Sequence, residues 1–395
     1  MVGLRGSDVS SALALVKQAE ALFPKAKSLL PAKEPRDASI GTVGYANLEG
    51  LQDVPQWEEH IHFRFAGGLW GGWCRCFSPL AELRFAAMLD VVSRLSSRNS
   101  KVPRTSESLT AEGSLWEEFE FVQALGNGTY GVVREVRSKT AKSRRRAAKT
   151  VPSTEHDEVK MMAPLEHAHI CVLHRVIVEK AEMHLLLDLC SGGDLQQWIE
   201  ARWDDEFTGE KYYDSPGTGQ VATITKQMLG ALQYIHDRNI AHRDIKPSNW
   251  LIASRSLFPV LKLSDFGLAA AFNPDTEPRE TFGQLCGSMV YMAPEVFQRS
   301  YTERCDIWST GMVVQDLVCG KPLFVKIPES QLQEVVCGGG VKLDHTEWNY
   351  HKPWLKDLVL QMLLTEKAGR PSAATCLDNP DVQSAAALGA CCAIA

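Results

Sequence analysis

The feature that most constrains the fold is a set of short motifs that occur in one order along the chain. A glycine-rich stretch at 125–133 contains G-x-G-x-x-G between two strand-like runs, and Ala147-Ala148-Lys149 follows on the next predicted strand. The segments 242–249 (HRDIKPSN), 265–267 (DFG) and 292–295 (MAPE) come next. A single glycine-rich match would indicate no more than a hairpin, but the ordered combination is very improbable by chance. It indicates one phosphate-binding site assembled from distant segments.

The glycine-rich stretch and the lysine suit a phosphate site on physical grounds. Glycines let the backbone approach a phosphate closely, so that main-chain N–H groups can bind it. Lys149 supplies a cation for the α- and β-phosphates of a nucleotide, and Ala147 is small enough to leave room for a purine. The nucleotide-binding residues predicted in the loop are Leu125, Gly126, Asn127, Gly128, Thr129, Tyr130, Gly131 and Val133.

Strand-like and helix-like patterns occupy different parts of the chain. Strands are predicted at 119–133, 147–151, 171–178 and 183–189, and helices at 221–236, 305–318 and 354–364. A strand-rich part followed by a helical part predicts an α+β protein with a cleft between the two.

Residues from about 116 to about 380 resemble the eukaryotic protein kinase domain. Two further segments agree. Residues 306–311 (DIWSTG), beginning with Asp306, are similar to the family's D-x-W-S-x-G segment, and Arg370 stands where the family places an arginine that pairs with the glutamate of Ala-Pro-Glu, here Glu295. The resemblance implies a bilobal protein-kinase-like fold, with a small β-rich N-lobe that contains one helix and a larger helical C-lobe.

The resemblance also implies roles for the charged residues of the motifs. Asp244 would accept or orient the proton of the substrate hydroxyl as the catalytic base, and Lys246 would steady the γ-phosphate of ATP. Asn249 and Asp265 would hold two Mg²⁺ ions, hard cations that prefer oxygen ligands, and Mn²⁺ could take their place.

By the same resemblance, residues 185–190 (LLLDLC) form the hinge that holds adenine. Leu187 would be the gatekeeper at the back of the pocket, and the backbone of Asp188 and Cys190 would hydrogen-bond the adenine edge. Asp194 would reach the ribose. Its alternative role is to cap the helix that follows, and both roles could hold at once. Leu251 completes the predicted ATP site.

The catalytic segment resembles that of serine/threonine kinases rather than tyrosine kinases. Lys246 lies two residues after Asp244, a spacing that marks the serine/threonine class in the family. Ser288 replaces the threonine that is usual at its position but keeps the hydroxyl. The expected substrates are therefore proteins with serine or threonine hydroxyls, and dual specificity remains an alternative.

Three phrases are similar to the calcium/calmodulin-dependent and calcium-dependent kinases: 189–195 (LCSGGDL), 238–244 (RNIAHRD) and 301–324. Members often prefer a basic residue upstream of the target hydroxyl, but Ser248 stands where basophilic members carry glutamate. The sequence contains no D-x-[DN]-x-[DN]-G loop, so direct calcium control through EF-hands is not expected.

One stretch departs from the family pattern. Lys149 should pair with a glutamate of the small-lobe helix, and Glu158 is the candidate, but the two are nine residues apart where the family uses about twice as many. A helix between Thr154 and Pro164 has room for about two turns. Either this short helix delivers Glu158 to Lys149, or the chain is a catalytically weak or silent kinase-fold scaffold.

The arginine before the catalytic aspartate suggests regulation. In regulated kinases this residue, here Arg243, often binds a phosphate on the activation loop. The loop between Asp265 and Glu295 offers Thr276, Thr281 and Ser288. Thr281 is the favoured phosphorylation site, with an ordinary solvated threonine as the alternative.

The resemblance leaves both ends of the chain without an assigned role. Residues 1–115 carry no motif of recognisable chemistry, and their end, near 96–115, is predicted to be a linker. The predicted catalytic domain covers 116–383, with the N-lobe at 116–190 and the C-lobe at 191–383, and 384–395 forms a short tail.

Cysteine usage favours an intracellular protein with reduced thiols. The 11 cysteines are scattered, their number is odd, and no C-x-x-C pair occurs. His60, His62, Cys74 and Cys76 suggest zinc at first sight. Cys-x-Cys is not the usual structural zinc spacing, and two histidines on one strand face need no metal, so a zinc site there is disfavoured.

Charge and the C-terminal residues bear on partners and location. The formal net charge of −6 argues against a nucleic-acid partner, and a cytoplasmic location is expected. The last four residues, Cys392-Ala393-Ile394-Ala395, fit the C-a-a-X prenylation pattern, and Cys391 could carry a second lipid. The alternative is an alanine-rich tail with two chance cysteines. A membrane partner is expected only if Cys392 is prenylated, and the oligomeric state is left open.

Overall fold

The computed structural model describes residues 104–384, with gaps at 129–130, 155, 205–211, 254–258, 274, 276–280 and 340. Several predictions fall outside the described residues: those on His60, His62, Cys74, Cys76, Thr129, Tyr130, Thr276, Cys391 and Cys392. In the part that is described, each helix is too short or too polar to span a lipid bilayer.

A six-stranded sheet forms most of the first third of the described chain. Its strands are β1 Thr110–Glu112, β2 Phe119–Gly128, β3 Gly131–Ser138, β4 Arg145–Pro152, β5 Leu173–Glu179 and β6 Glu182–Leu187. The spatial order is β1-β5-β6-β4-β3-β2, with β1 parallel to β5 and the other pairs antiparallel. The α+β, bilobal fold class expected from the sequence is confirmed.

The predicted strand 119–133 is in fact a hairpin of two strands, β2 and β3. Gly128 and Gly131 form its last pair, so the glycine-rich stretch lies where β2 ends and β3 begins. Gly131 has φ +152°, and a Cβ there would lie 1.9 Å from the carbonyl oxygen of Thr150 on β4. Glycine is therefore required where the hairpin crosses close to the strand that carries Lys149.

The sequence predicts a linker near 96–115, but residues 106–112 of that segment form a short helix and a strand. Helix α1, Ser106–Leu109, leads into β1, which extends the sheet by pairing with β5, and helix α2, Leu115–Glu118, leads into β2. Leu115 is fully buried in a small cluster with Phe119 and Val136. The serine- and threonine-rich composition concealed this strand, because β1 is an edge strand that buries little of its own surface.

Helices dominate the chain after β6, and one further helix lies between β4 and β5. The helices after α2 are α3 His156–Met162, α4 Leu195–Glu200, α5 Thr218–His236, α6 Pro294–Phe297, α7 Arg304–Cys319, α8 Glu329–Gly338, α9 Pro353–Met362 and α10 Ala373–Leu377. Three two-stranded ladders complete it: β7 Trp203–Asp204 with β8 Tyr212–Tyr213, β9 Ile240–Ala241 with β12 Ala270–Ala271, and β10 Trp250–Ile252 with β11 Leu261–Leu263. Every residue of α7 from Cys305 onward is buried, so this helix is the centre of the helical lobe.

A buried ion pair closes the helical lobe, between the residues named from the resemblance. Arg370 donates to Glu295 Oε1 at 2.5 Å and Oε2 at 3.0 Å, and also to the carbonyl oxygens of Leu364 and Arg304. Both side chains are nearly solvent-free. The pair therefore ties α6, beside the MAPE motif, to the segment before α10.

We expect Glu295→Ala to lower the free energy of unfolding by about 3–5 kcal/mol, because it leaves the Arg370 guanidinium buried without its counter-ion. Urea denaturation of the full-length chain measures the loss. Glu334→Ala, an exposed glutamate of α8, is the matched control and should change the free energy by no more than about 0.5 kcal/mol. Equal effects of the two substitutions would contradict this account.

Candidate active site

Lys149 lies at the centre of an ion cluster that joins the sheet to the helical lobe. Its Nζ is 2.7 and 2.8 Å from the two carboxylate oxygens of Glu158 and 2.9 Å from Oδ1 of Asp265. Lys149 and Glu158 are both 6% exposed, so the contacts are almost dry. The interval of nine residues is thus long enough to bring Glu158 to Lys149.

The short helix α3 reaches the lysine because of where it starts. It begins four residues after β4 ends and contains only seven residues, so Glu158 stands in its first turn. Val159 and Met162, 2% and 1% exposed, anchor the helix in the core. Burial by itself would lower the pKa of Lys149, but the charges of Glu158 and Asp265 outweigh it and raise the pKa, so the amine is held as a cation.

Asp244 and Lys246 form a second polar group with Ser288. The carboxylate of Asp244 is 2.8 Å from Lys246 Nζ through Oδ2. Its Oδ1 accepts from the backbone N–H of Ser288 at 2.9 Å and from the Ser288 hydroxyl at 3.0 Å. Lys246 also lies 3.0 Å from the same hydroxyl. Burial would raise the pKa of Asp244, but the hydrogen bond and charge of Lys246 and the hydrogen bond of Ser288 lower it, so the carboxylate is ionised at neutral pH.

Asn249 and Asp265 are suited to hold cations. Asn249 Nδ2 donates to the backbone oxygen of Asp244 at 2.8 Å and to its Oδ2 at 3.1 Å, which leaves the amide oxygen for a ligand. Both the N–H and the hydroxyl of Ser264 donate to the Asn249 carbonyl at 2.9 Å, so Asn249 is tied to the neighbour of Asp265. One oxygen of Asp265 accepts from Lys149, and the other, which has no hydrogen bond to a described residue, could bind a cation. These oxygens are the ligands that Mg²⁺ prefers.

Asp306 fixes the backbone that carries the catalytic loop. Its carboxylate accepts from the N–H of His242 at 2.9 Å and from the N–H of Arg243 at 2.8 Å, and lies 2.9 Å from His236 Nε2. Burial would raise the pKa of Asp306, but these hydrogen bonds, with that of His236 foremost, lower it. Arg243 has a left-handed φ of +67°, a strained conformation that the two bonds to Asp306 hold in place.

The segment before α6 packs very closely on this loop. Gly287 has φ +102°, and a Cβ there would lie 2.6 Å from the carbonyl oxygen of Arg243. Only glycine allows this approach without strain. The next residue, Ser288, is thereby brought within hydrogen-bond distance of Asp244.

The DFG segment is held with its phenylalanine in the core. Phe266 is fully buried, and its ring lies edge-on to that of His242 with a centroid distance of 4.9 Å. His242 Nε2 is 3.0 Å from the carbonyl oxygen of Ser264. Asp265 itself adopts φ +60°, which turns its carboxylate towards Lys149.

The predicted hinge follows β6. Asp188 donates its backbone N–H to the Val172 carbonyl at 3.1 Å, and its carbonyl receives only a weak contact from the Cys171 thiol at 3.7 Å. Its carboxylate lies 2.7 Å from His174 and 3.0 Å from Lys262. Burial would raise the pKa of Asp188, but these two partners hold it well below its usual range. The side chain therefore anchors the predicted hinge, and the Asp188 carbonyl is the main-chain group left for a ligand.

Backbone pairing brings several other residues of the predicted nucleotide site together. Leu187, the last residue of β6, pairs with Ala147 on β4. Asp194 forms a bridge to Leu251 on β10, which places the two side by side. The Asp194 carboxylate caps α4 by accepting from Gln197 N–H at 2.9 Å, so the alternative role raised from the sequence is realised. Cys190, Val133 and Leu251 are partly exposed, and Leu125 is 42% exposed.

Arg243 packs on Phe282, the residue that follows Thr281. The Arg243 guanidinium lies 5.0 Å above the ring of Phe282, and its Nε donates to the Leu268 carbonyl at 2.7 Å. Thr281, beside Phe282, is exposed. Phosphorylation of Thr281 therefore stays a prediction.

Some residues of the site were not predicted to act there. They are His236, which supports Asp306, Ser264, which links Asn249 to the His242 ring, and Lys262, which binds Asp188. Ser288, one of the three hydroxyl residues that the sequence offers for phosphorylation, bridges Asp244 and Lys246 through its hydroxyl. The sequence feature that points to this role of Ser288 is its position, where the family usually has a threonine.

Three features of the site are typical of phosphoryl-transfer enzymes. They are a buried lysine paired with a glutamate, an aspartate followed two residues later by a lysine, and two oxygen ligands beside them. The family model described as the protein kinase domain matches residues 119–381. The chain belongs to the protein kinase domain family.

Curated relatives support the same family. Calcium-dependent protein kinase 3 of Plasmodium yoelii yoelii is 32% identical over 292 residues, which cover 72% of this chain and 52% of the relative. Calcium-dependent protein kinase 9 of Oryza sativa subsp. japonica is 31% identical over 281 residues, covering 68% and 46%. Serine/threonine-protein kinase 33 of Bos taurus is 28% identical over 281 residues, covering 67% and 55%. The chain thus spans about half the length of the curated relatives it matches.

A further carboxyl group, that of Asp316, is buried in the core of the helical lobe. Asp316 on α7 is buried; its Oδ2 accepts from the Tyr291 hydroxyl at 2.7 Å, and its Oδ1 has no partner among the described residues. Burial raises the pKa of Asp316 to about 8, although the Tyr291 hydrogen bond opposes the shift. The folded state therefore prefers the protonated acid.

This shift predicts a pH dependence of stability. A carboxyl whose folded pKa is raised contributes stability that is fully present below its unfolded pKa of about 3.9 and is lost as the pH rises towards about 8. We expect Asp316→Asn, which cannot ionise, to gain up to about 1.4 kcal/mol per pH unit relative to wild type between about pH 5 and pH 8. Urea denaturation of both proteins across that range measures the difference, and parallel pH profiles would contradict the raised pKa.

Proposed function

We propose that this protein is a serine/threonine protein kinase that transfers the γ-phosphate of MgATP to serine or threonine hydroxyls of proteins. The observation that carries the proposal is that one site contains two clusters of charged side chains. Lys149, Glu158 and Asp265 form the first, and Asp244 with Lys246 the centre of the second. The names of the relatives, which include serine/threonine and calcium-dependent protein kinases, support it.

The roles follow from the chemistry of phosphoryl transfer. Its transition state is loose, so catalysis consists mainly of positioning and of neutralising negative charge. Asp244, held ionised by its partners, accepts or orients the proton of the attacking hydroxyl. Lys246 brings a positive charge next to that carboxylate, where the transferred phosphoryl group would pass. Lys149, kept charged by its two carboxylates, binds the α- and β-phosphates.

Asn249 and Asp265 would hold Mg²⁺, which supplies neutralisation of the phosphate charge when it is bound. The donor set fits, since each residue presents an oxygen that its own hydrogen bonds leave available. Asp265 has to share its carboxylate with Lys149, so the lysine and the cation occupy neighbouring oxygens of one group.

The silent-scaffold alternative rested on the short interval between Lys149 and Glu158. A scaffold would be favoured if the helix failed to deliver the glutamate. The contact of 2.7 Å between the two side chains removes that reason, so the enzyme is the preferred function.

Asp244→Asn should reduce the rate of phosphate incorporation by about 10²–10⁴-fold, because the amide cannot take the proton of the hydroxyl. Full-length protein with Mg²⁺, radiolabelled ATP and a mixed serine/threonine peptide library provides the measurement. Asp237→Asn, an exposed aspartate at the end of α5, is the matched control and should keep the wild-type rate. A wild-type protein that binds ATP but incorporates no more phosphate than Asp244→Asn would favour the scaffold.

Ser288 provides a test of the second polar group. Ser288→Ala removes the hydroxyl that joins Asp244 and Lys246, and a hydrogen bond to charged groups is worth about 1.5–3 kcal/mol. We expect kcat to fall by about 10–100-fold on that basis. Ser288→Thr keeps the hydroxyl and should retain most of the activity. Equal rates for the alanine and threonine variants would show that the bridge does not contribute.

Regulation and location are also part of the proposal. Thr281 is the proposed phosphorylated residue, because it is exposed and adjacent to the ring on which Arg243 lies. A cytoplasmic location, and membrane attachment through a lipid on Cys392, are carried over from the sequence alone.

A further inference from the structure

Three side chains with metal-binding atoms meet at the end of α7. They are Cys319, the last residue of the helix, and His345 and Glu347 in the turn that contains the 3₁₀ segment Thr346–Tyr350. Their ligand atoms all lie within 4.8 Å of one another, and His345 Nδ1 is 3.8 Å from Glu347 Oε2. Among the described residues this is the one such group of three.

The donor set suits zinc. A thiolate, an imidazole and a carboxylate are the three types of protein ligand that zinc takes, with bonds of about 2.0–2.3 Å. Tetrahedral geometry with these bond lengths puts neighbouring donor atoms about 3.3–3.6 Å apart. The three side chains therefore need to close by about 1.5 Å or less from their present spacing, a movement within the reach of side-chain rotation.

A buried amide supports the position of the sulfur. Gln315 lies one helical turn before Cys319, and its Oε1 accepts from Trp348 Nε1 at 2.7 Å. This bond fixes the orientation of the amide, so the NH₂ group points away from Trp348. That group is buried and has no hydrogen-bond partner in the described chain, and Gln315 stands four residues before Cys319, on the same face of α7. A metal-bound thiolate is a much better acceptor than a thiol, so it would satisfy this donor.

Access and local field also favour a cation. Cys319 is 1% exposed, whereas the His345 and Glu347 side chains are 32% and 30% exposed, so an ion can enter from solvent on their side. The site lies at the C-terminal end of a 16-residue helix, where the helix dipole is negative. It is about 20 Å along the helix from Asp306, which supports the catalytic loop.

We propose that Cys319, His345 and Glu347 bind one Zn²⁺ ion, with water as the fourth ligand. The ion joins the end of the central helix to the turn that carries Trp348 and so stabilises the helical lobe. The site is separate from the ATP-binding residues, and it does not depend on the proposed kinase function. The competing explanation is an ordinary His345–Glu347 ion pair beside a buried thiol.

Cobalt titration of the metal-free full-length chain tests the proposal. Co²⁺ bound to a thiolate gives a sulfur-to-metal charge-transfer band in the near ultraviolet. Added Zn²⁺ should displace the Co²⁺ and abolish the band. We expect the absorbance of this band in Cys319→Ser to fall by the amount that one cobalt-bound thiolate contributes. The control Cys376→Ser removes a cysteine that is also 1% exposed, on α10, and should keep the full band. Taking the difference between variants accounts for cysteines elsewhere in the chain.

Two variants outside the core test the site without the risk that a buried substitution disturbs folding. His345→Ala and Glu347→Gln lie on a partly exposed turn and should each weaken Zn²⁺ binding at least about ten-fold. Zn²⁺ should also raise the melting temperature of wild type and Cys376→Ser more than that of these two variants. An unchanged cobalt band in Cys319→Ser, or equal zinc affinity in wild type and His345→Ala, would overturn the proposal and leave only the ion pair.

Discussion

The rest of the site depends on one buried cation, Lys149. Its Nζ lies between the carboxylates of Glu158 and Asp265, which come from the sheet lobe and from the loop that follows β11. A lysine that is 6% exposed is tolerated only when it is paired, so the two carboxylates and the amine hold one another in place. This cluster positions α3, orients the DFG segment and links the two lobes at the point where phosphates would bind.

The central helix α7 organises the other half of the molecule. Near its first turn, Asp306 binds the backbone of the catalytic loop, including the strained Arg243. In its second half, Asp316 is buried under Tyr291, and Cys319 lies beside two potential metal ligands. Because the helix is buried along nearly its whole length, most of its polar side chains are hydrogen-bonded, and the exceptions among the described residues include Asp316 Oδ1 and Gln315 Nε2. The predicted catalytic loop thus contacts the first turn of α7, and the proposed zinc site lies at its last residue.

Much of the fold and of the site was predictable, because the relevant signals are local. The strands β4, β5 and β6 and the helices α5, α7 and α9 lie within a few residues of their predicted positions, since their hydrophobic patterns are strong. Element boundaries and weakly patterned segments were less predictable. The edge strand β1 has a polar composition, and its partner β5 is more than 60 residues away, so no local pattern marks the pairing.

The sequence by itself determined the family and the chemical groups. The spacing of Asp244, Lys246 and Asn249 within one loop, and the order of the motifs, need no three-dimensional information to be recognised. Only the tertiary structure decided which of these groups meet. Whether Glu158 reaches Lys149 depends on the placement of a seven-residue helix against the core, and the Ser288 bridge depends on the close approach at Gly287. Contacts between residues distant in the chain are set by packing, which no short motif records.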